Sequence, residues 1–288
     1  MDVRKKFAEM LEEPGAIILP GAHDALAAKI IEEVGFRALF TTGYGTSATV
    51  LAQPDRGLLD YKEMVERASQ ISEAVKIPVF ADADTGYGGV LNVQQTVKGF
   101  EKSGVAGIFI EDQVWPKRCG HMEGKKVIDE NEFLAKLEAA LDARKDENFK
   151  IMARTDIRAV KDLDAAIERG KKCEELGVDL LFIEAPQSKK ELKIIGEEFP
   201  EIPLMANMIE HGKTPILNKK ELEELGYKII VWPLSALYAS AQGMYNVLSS
   251  LRENGETNNV IDDLMAFEKF NEMIGLEEIQ ELEEKYSN

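Results

Sequence analysis

The stretch AIILPGAHDALAAKIIEEVGFRALFTT, residues 16–42, decides the fold. An apolar run, AIILP at 16–20, leads into a polar turn, then an amphipathic segment, DALAAKIIEEVG, then a second apolar run, ALFTT at 38–42. Continuous apolar runs of this length read as strands buried on both faces, and strand–helix–strand order implies parallel pairing. The turn LPGAHDAL carries no GxGxxG, which argues against a doubly wound nucleotide-binding sheet, the runner-up architecture. The same unit recurs with runs at PVFAD 78–82, GIFIE 107–111, KIMAR 150–154, LLFIE 180–184, PLMAN 203–207 and KIIVW 228–232. Eight such units predict an α/β fold of the (β/α)8 TIM-barrel type.

No long Pro/Ser linker, low-complexity tract or short repeat interrupts the chain, so residues 1–288 are expected to form one domain. Residues 234–288 continue past the eighth unit as a helical extension. LSALYASAQGMYNVLSSLRENG reads as one helix and NNVIDDLMAFEKFNEMIG as another, with Val260, Leu264, Phe267 and Ile274 near helical spacing. A barrel does not need these helices to close, so a neighbouring subunit is the expected cover for their apolar stripes.

The formal charge is −17, with 52 acidic against 35 basic residues, which argues against a nucleic-acid binder. No segment approaches the length of a membrane span, and MDVRKKFAEMLEEPG lacks the apolar core of a signal peptide. The two cysteines, Cys119 and Cys173, are too few for a disulfide framework. These features fit a cytoplasmic protein whose partners are small molecules or copies of itself. Cys173, on a helix face with Ile167 and Gly170, reads as core packing.

If the barrel is right, residues ending the strands share its C-terminal rim, where barrel enzymes keep their active sites. Those residues are polar at six consecutive strands. They include Thr42, Gly43 and Tyr44, then Asp82 and Asp84, Glu111 and Asp112, Arg154, Glu184, and Asn207. Asp82 and Asp84 stand at i and i+2, on one side of an extended chain. Carboxylates gathered this way repel unless a cation neutralises them. With Glu111 and Asp55 they make an all-oxygen set suited to Mg²⁺, with Mn²⁺ as the alternative; the histidines are too dispersed for zinc. Arg154 either pairs with Glu184 or Asp156 or grips a substrate carboxylate in two-point geometry. The loop EDQVWPKRCGHMEGKK, 111–126, surrounds Cys119 with Lys117, Arg118 and His121, which is expected to lower the thiol's pKa towards neutrality. Gly120 and Gly124 would let the loop fold over the rim as a lid carrying its own proton donor.

The segments FTTGYGTSA, QPDRGLL, ADADTGYG, IEDQVWPKRCGH, ARTD, IEAP, MANMIEHGKTP and WPLSA run nearly end to end. In them the chain resembles the isocitrate lyase/phosphoenolpyruvate mutase superfamily. The KRCGHMEGK loop resembles the carbon–carbon lyase branches rather than the phosphonate mutases. The resemblance implies a Mg²⁺-dependent lyase acting on a 2-hydroxy dicarboxylate, and a homotetramer that exchanges C-terminal helices. It assigns Asp82 and Asp84 to the metal, with Glu111 and Asp55 holding its waters. Thr42, Gly43 and Tyr44 would take the carboxylate and hydroxyl end of the substrate. Cys119 and Gly120, backed by His121, would close from the loop, and Arg154, Glu184 and Asn207 would complete the pocket.

Departures from the family pattern point to the substrate. The 2-methylisocitrate lyase branch carries arginines where this chain has Tyr238 and Phe267, and those arginines would hold a third carboxylate. An unpaired carboxylate buried beside Tyr and Phe is costly. The expected substrate is therefore 2,3-dimethylmalate, cleaved to pyruvate and propionate. Cleavage of 2-methylisocitrate and hydrolysis of oxaloacetate are the alternatives, and Ile157, where a hydroxyl would suit a hydrated ketone, argues against the hydrolysis. The intact acids, Cys119 and Arg154 argue against a non-catalytic barrel.

Overall fold

Strands that face two cores at once must be apolar on both sides, and all eight predicted runs form such strands. The computed structural model describes residues 2–287. Its strands are β1 (Ile17–Ala22), β2 (Leu39–Thr41), β3 (Val79–Asp82), β4 (Gly107–Glu111), β5 (Lys150–Thr155), β6 (Leu180–Ile183), β7 (Leu204–Asn207) and β8 (Tyr227–Trp232). They pair in sequence order, all parallel, and β8 closes on β1 with Leu19 beside Val231. This is the expected (β/α)8 barrel.

Helix α1 (Val3–Glu12) precedes β1 and plugs the barrel's lower end with Phe7 and Met10. The connecting helices are α2 (Ala25–Glu33), α3 (Gly43–Leu51), α4 (Tyr61–Ala74), α5 (Val90–Lys102), α6 (Glu130–Ala143), α7 (Leu163–Leu176), α8 (Lys189–Glu198) and α9 (Lys219–Glu224). Side-chain caps mark most of their starts, among them Asp24, Thr42, Asp60, Asp162 and Ser188, each accepting a first-turn N–H.

The strand period of two separates the cores. Ile108, Ile110, Ile151, Leu181 and Ile183 face the helices. Phe40, Phe80, Phe109, Met152, Phe182 and Met205 face the barrel axis. Each of these aromatic or long side chains is worth roughly 1.5–3 kcal/mol when fully buried. Two residues further along each strand the inward position becomes polar, giving Thr42, Asp82, Glu111, Arg154, Glu184 and Asn207 in order. The barrel thus builds a polar tier directly on an apolar one.

Past β8 the chain runs through α10 (Ser235–Asn254), α11 (Phe267–Met273) and α12 (Leu276–Tyr286). The first predicted extension helix forms as expected. The second does not: residues 258–263 are a 3₁₀ turn and Leu264 is extended, so helix begins only at Phe267. Leu264, Phe267 and Ile274 are exposed, and helical spacing alone cannot hold a short helix that has no core to rest on. Met273, packed towards α2, is the only buried side chain on these three helices.

Candidate active site

The polar tier converges on one cavity at the C-terminal mouth. Its lining includes Thr42, Tyr44, Asp55, Asp82, Lys117, Cys119, Gly120, Arg154, Glu184 and Asn207, above Phe40, Phe109, Phe182 and Met205. The cavity offers about 50 Å³, room for roughly four waters, and is partly open to solvent. Gly43, Asp84, Glu111 and His121 stand just behind the lining, each in contact with a residue in it.

Arg154 sits at the centre of the floor. Its guanidinium lies 5.2 Å from the ring centres of both Phe109 and Phe182. Nε is 3.0 Å from Asp156 and 3.3 Å from Glu111, and Nη2 is 3.0 Å from Glu184. Both readings of Arg154 therefore remain compatible with its place: it is paired to acids, and it still lines the cavity. Burial works against ionisation of Glu184, yet Arg154 and His121 hold its carboxyl well below the usual range. Glu111 goes the other way, because burial outweighs Arg154 and raises it.

The acidic side of the cavity is built on β3 and α3. Asp84 is not on an extended chain as the i, i+2 spacing suggested; its φ is +49°, in the left-handed region. It turns back because its own N–H donates to Asp82 Oδ1 at 2.9 Å, an arrangement Asp side chains favour. Asp82 Oδ2 accepts the N–H of Gly43 at 2.7 Å, so that N–H is already engaged and not free for a substrate. The Thr42 hydroxyl oxygen accepts from Gly45 N–H and keeps its own proton to donate.

Lys117 was read from sequence as a neighbour of Cys119. Its ammonium instead enters the acids, 2.6 Å from Asp84 Oδ1 and 2.7 Å from Asp55 Oδ2. Burial, together with Asp82 and Asp55, still lifts the Asp84 carboxyl to about 7 against the pull of Lys117. Asp84 Oδ1, though close to Lys117, and Glu111 Oε1 make no well-aligned hydrogen bond among the described residues. Six buried acidic side chains, Asp55, Asp82, Asp84, Glu111, Asp156 and Glu184, face three buried basic ones, Lys117, Lys125 and Arg154. An uncompensated acidic surplus of this kind, with orphaned oxygens, fits a hard divalent cation. No three His, Cys, Asp or Glu side chains among the described residues form a ready chelate. The four acids expected to share a cation therefore do not converge as one ligand set, and Lys117 stands between two of them, Asp55 and Asp84; a cation there would rest on one or two carboxylates with water and substrate oxygens.

The loop after β4 closes the cavity. Its stalk is tied by Val114 N–H to Lys126 O and by Ile128 N–H to Asp112 O, at 2.8 and 2.9 Å. The tip carries Cys119 over the floor. The expected cationic activation of the thiol does not occur. Lys117 points to the acids, Arg118 donates to Glu123 O, and His121 turns to Glu184, Nε2 to Oε1 at 3.3 Å. His121 Nδ1 accepts the N–H of Lys213, which leaves the ring proton on Nε2, towards Glu184. Burial dominates, and the Cys119 thiol is pushed up to about 11. Tyr44 lies on the first turn of α3, beside Tyr238. Ile157 packs in the outer core and does not line the cavity, so it carries no weight against a hydrated-ketone substrate.

A Cβ on Gly120 would sit 2.4 Å from the Glu184 carboxyl and 2.6 Å from Arg154 Nη2. Gly120→Ala is therefore expected to leave the melting temperature within a few degrees, since the lid lies outside the cores, but to lower kcat/KM by about 10²-fold. Unchanged kinetics would mean the tip does not close this tightly during turnover.

The sequence reading placed Asp156 at the rim as one partner for Arg154 but gave it no role in the site, and it missed Lys125 and Arg169. Asp156 binds Arg154 from below, and Lys125 reaches Asp156 from the lid. Arg169, on α7, anchors Asp112 at 2.7 Å. The signal for Asp156 was its place two residues after Arg154, on the same side of the chain.

A sequence description of the family "Phosphoenolpyruvate phosphomutase" matches residues 7–252. The chain is 46% identical over 287 residues to the 2,3-dimethylmalate lyase of Eubacterium barkeri, covering 100% of this chain and 99% of that one. It is 45% identical over 290 residues to the chloroplastic carboxyvinyl-carboxyphosphonate phosphorylmutase of Arabidopsis thaliana, covering 99% and 85%. A crystal structure of 2,3-dimethylmalate lyase, described as a PEP mutase/isocitrate lyase superfamily member, superposes with a TM-score of 0.94 at 32% identity, covering 100% and 96% of the two chains. Matched in this way along almost its whole length, the chain belongs to the phosphoenolpyruvate mutase/isocitrate lyase superfamily.

Proposed function

We propose that the protein is a Mg²⁺-dependent carbon–carbon lyase, with Mn²⁺ as the alternative cation, that cleaves 2,3-dimethylmalate to pyruvate and propionate. The observation that carries this reading is the meeting of the Cys119 thiol with Arg154 and a surplus of buried acids around one small cavity, where burial favours the protonated thiol. The strong likeness to a 2,3-dimethylmalate lyase supports the choice of substrate.

Asp82 and Asp84 would hold the cation, with Asp55 and Glu111 holding its waters. When bound, it supplies a Lewis acid for the carboxylate and hydroxyl oxygens at one end of the substrate. The Thr42 hydroxyl donates at that end. Arg154, fixed by Asp156, Glu111 and Glu184, has Nη1 without a protein partner among the described residues and offers it to the substrate. A base on the Tyr44–Arg154 side of the cavity takes the proton of the substrate hydroxyl and returns it through water to the Cys119 thiolate at the end of the cycle. The C2–C3 bond breaks, C2 becomes the keto carbon of pyruvate, and the electron pair stays on C3. Cys119 gives its proton to C3, completing propionate, and the thiolate is reprotonated before the next turnover. His121, held by Lys213 and facing Glu184, and Asn207, 3.4 Å from Glu184, fix the far wall.

Ile209, Val231, Pro233 and Leu234 line the remaining wall and suit the methyl groups of the substrate. Tyr238, whose phenol is pushed up to about 12 by burial, stays neutral and offers no charge to a third carboxylate. The test is a product assay with Mg²⁺ on dimethylmalate, methylisocitrate, isocitrate, citramalate, oxaloacetate and a carboxyvinyl phosphonate. Dimethylmalate is expected to exceed the others by about 10-fold or more in kcat/KM. Dominant succinate release from methylisocitrate, or a rearranged phosphonate, would overturn the assignment.

Exchange of C-terminal helices within a homotetramer is proposed on the same footing. Tyr245, Leu248, Phe267 and Ile279 are more than half exposed on the lone chain and need a cover. No helix among the described residues is long and apolar enough to cross a membrane, and a cytoplasmic site of action fits the two free thiols.

A further inference from the structure

Lys125 lies on the descending limb of the lid, and its side chain is almost wholly buried, at 1% exposure. Its ammonium reaches Asp156 Oδ1 at 2.7 Å and the carbonyl oxygen of Gly120. We propose that Lys125 is the latch of the lid, a positioning residue that fastens the loop bearing Cys119 to the carboxylate that orients Arg154. The inference rests on the loop acting as a lid, and it goes beyond the assignment of the substrate.

Four observations carry it. The anchor is rigid: Asp156 N–H donates to Asp112 Oδ1 at 2.8 Å, and Asp112 is itself held by Thr155 Oγ1 at 2.6 Å and Arg169 at 2.7 Å. The anchor is shared: the same Asp156 carboxylate takes Arg154 Nε at 3.0 Å and Nη2 at 3.3 Å, so lid and guanidinium are set from one point. The latch lies outside the cavity lining, unlike Lys117, whose partners Asp55 and Asp84 belong to the cluster that a cation would claim. And the bond to Gly120 O fixes the turn adjoining Cys119. An ammonium is stable in so dry a place only while paired and hydrogen-bonded. When the lid lifts, Lys125 returns to water and Asp156 loses one of its two cations.

The chain's two cysteines supply a readout that needs no substrate. Cys119 is half-buried in the lid, at the wall of a cavity of about 50 Å³ that leaves little room for an aromatic disulfide reagent, and Cys173, on the inner face of α7, is 0% exposed. In native protein, Lys125→Met is expected to speed the labelling of one thiol per chain, Cys119, by about 10- to 100-fold, the size of one lost charge-assisted hydrogen bond. Cys173 should stay protected, and kcat/KM on the working substrate should fall. An unchanged labelling rate overturns the latch. So does simultaneous labelling of both thiols, because it signals general loosening. Because labelling uses neither substrate nor cation, these outcomes stand apart from the fate of the dimethylmalate assignment.

Discussion

Cys119→Ala is expected to lower turnover by about 10²- to 10⁴-fold, the usual worth of a positioned proton donor, while leaving the fold intact. The side chain belongs to the lid rather than to either core, so its removal costs no packing there. What it removes is the proton that quenches the electron pair left on C3. The direction of the thiol's shift makes a second measurement decisive. Crowding by protein atoms raises the thiol to about 11, with the Lys117 charge too weak to offset it. A thiol is neutral below its pKa, so Cys119 holds its proton throughout pH 7–9 and sheds it only as pH approaches 11. The profile of kcat against pH should therefore show no falling limb from Cys119 between 7 and 9. A thiol lowered towards neutrality would instead lose its donor form across that same window. A falling limb there that vanishes in a Cys119 variant would refute the raised thiol pKa, and near-wild-type turnover in Cys119→Ala would remove the residue from the mechanism.

The barrel was legible because each strand is apolar on both faces, which leaves a continuous run that few other structures produce. The polar tier was legible for a related reason: Glu111 follows Phe109, and Glu184 follows Phe182, by the two residues that return the chain to the same face. Cys173, expected to pack in the core, does so. What the sequence concealed lies where long side chains choose among distant partners. Lys117 is two residues from Cys119, yet its ammonium crosses to Asp55 and Asp84 on other loops. Neighbourhood in sequence thus gave the wrong sign for the thiol's shift. Lys125 is by sequence one more cation in the loop, and only the fold brings Asp156 beneath it. Asp84 departs from the extended form because its local hydrogen bond to Asp82 competes with the strand. Ile157 looked like a wall residue because it follows a strand end, but a short 3₁₀ turn there directs it outward.

Stripping divalent cations with a chelator is expected to reduce turnover to background, and Mg²⁺ to restore it. Asp84→Ala should reproduce the loss and weaken Mn²⁺ binding by about 10²-fold or more, read by calorimetry without substrate. The reason is electrostatic. Three buried basic side chains face six buried acidic ones, and the proposed substrate adds two more negative charges. Two unit charges of like sign 4 Å apart repel by about 4 kcal/mol at an effective dielectric of 20, and each 1.4 kcal/mol is about a tenfold factor in binding. Lys117 gives the acids only one positive charge and already shares it between Asp55 and Asp84. A dianion entering beside them without a further cation would meet a barrier that Arg154 cannot offset alone, because its single charge is already shared among Glu111, Asp156 and Glu184 and only Nη1 is left for the substrate. Asp84 is the sharpest single probe, since it is buried and its Oδ1 has no aligned hydrogen bond among the described residues to replace what a cation would give. The calorimetric arm separates two failures. Mn²⁺ binding to Asp84→Ala at wild-type strength would show that Asp84 is not a ligand. Full turnover by the chelated enzyme would show that the acids are neutralised by protons and lysine alone, and that the reaction runs without a metal.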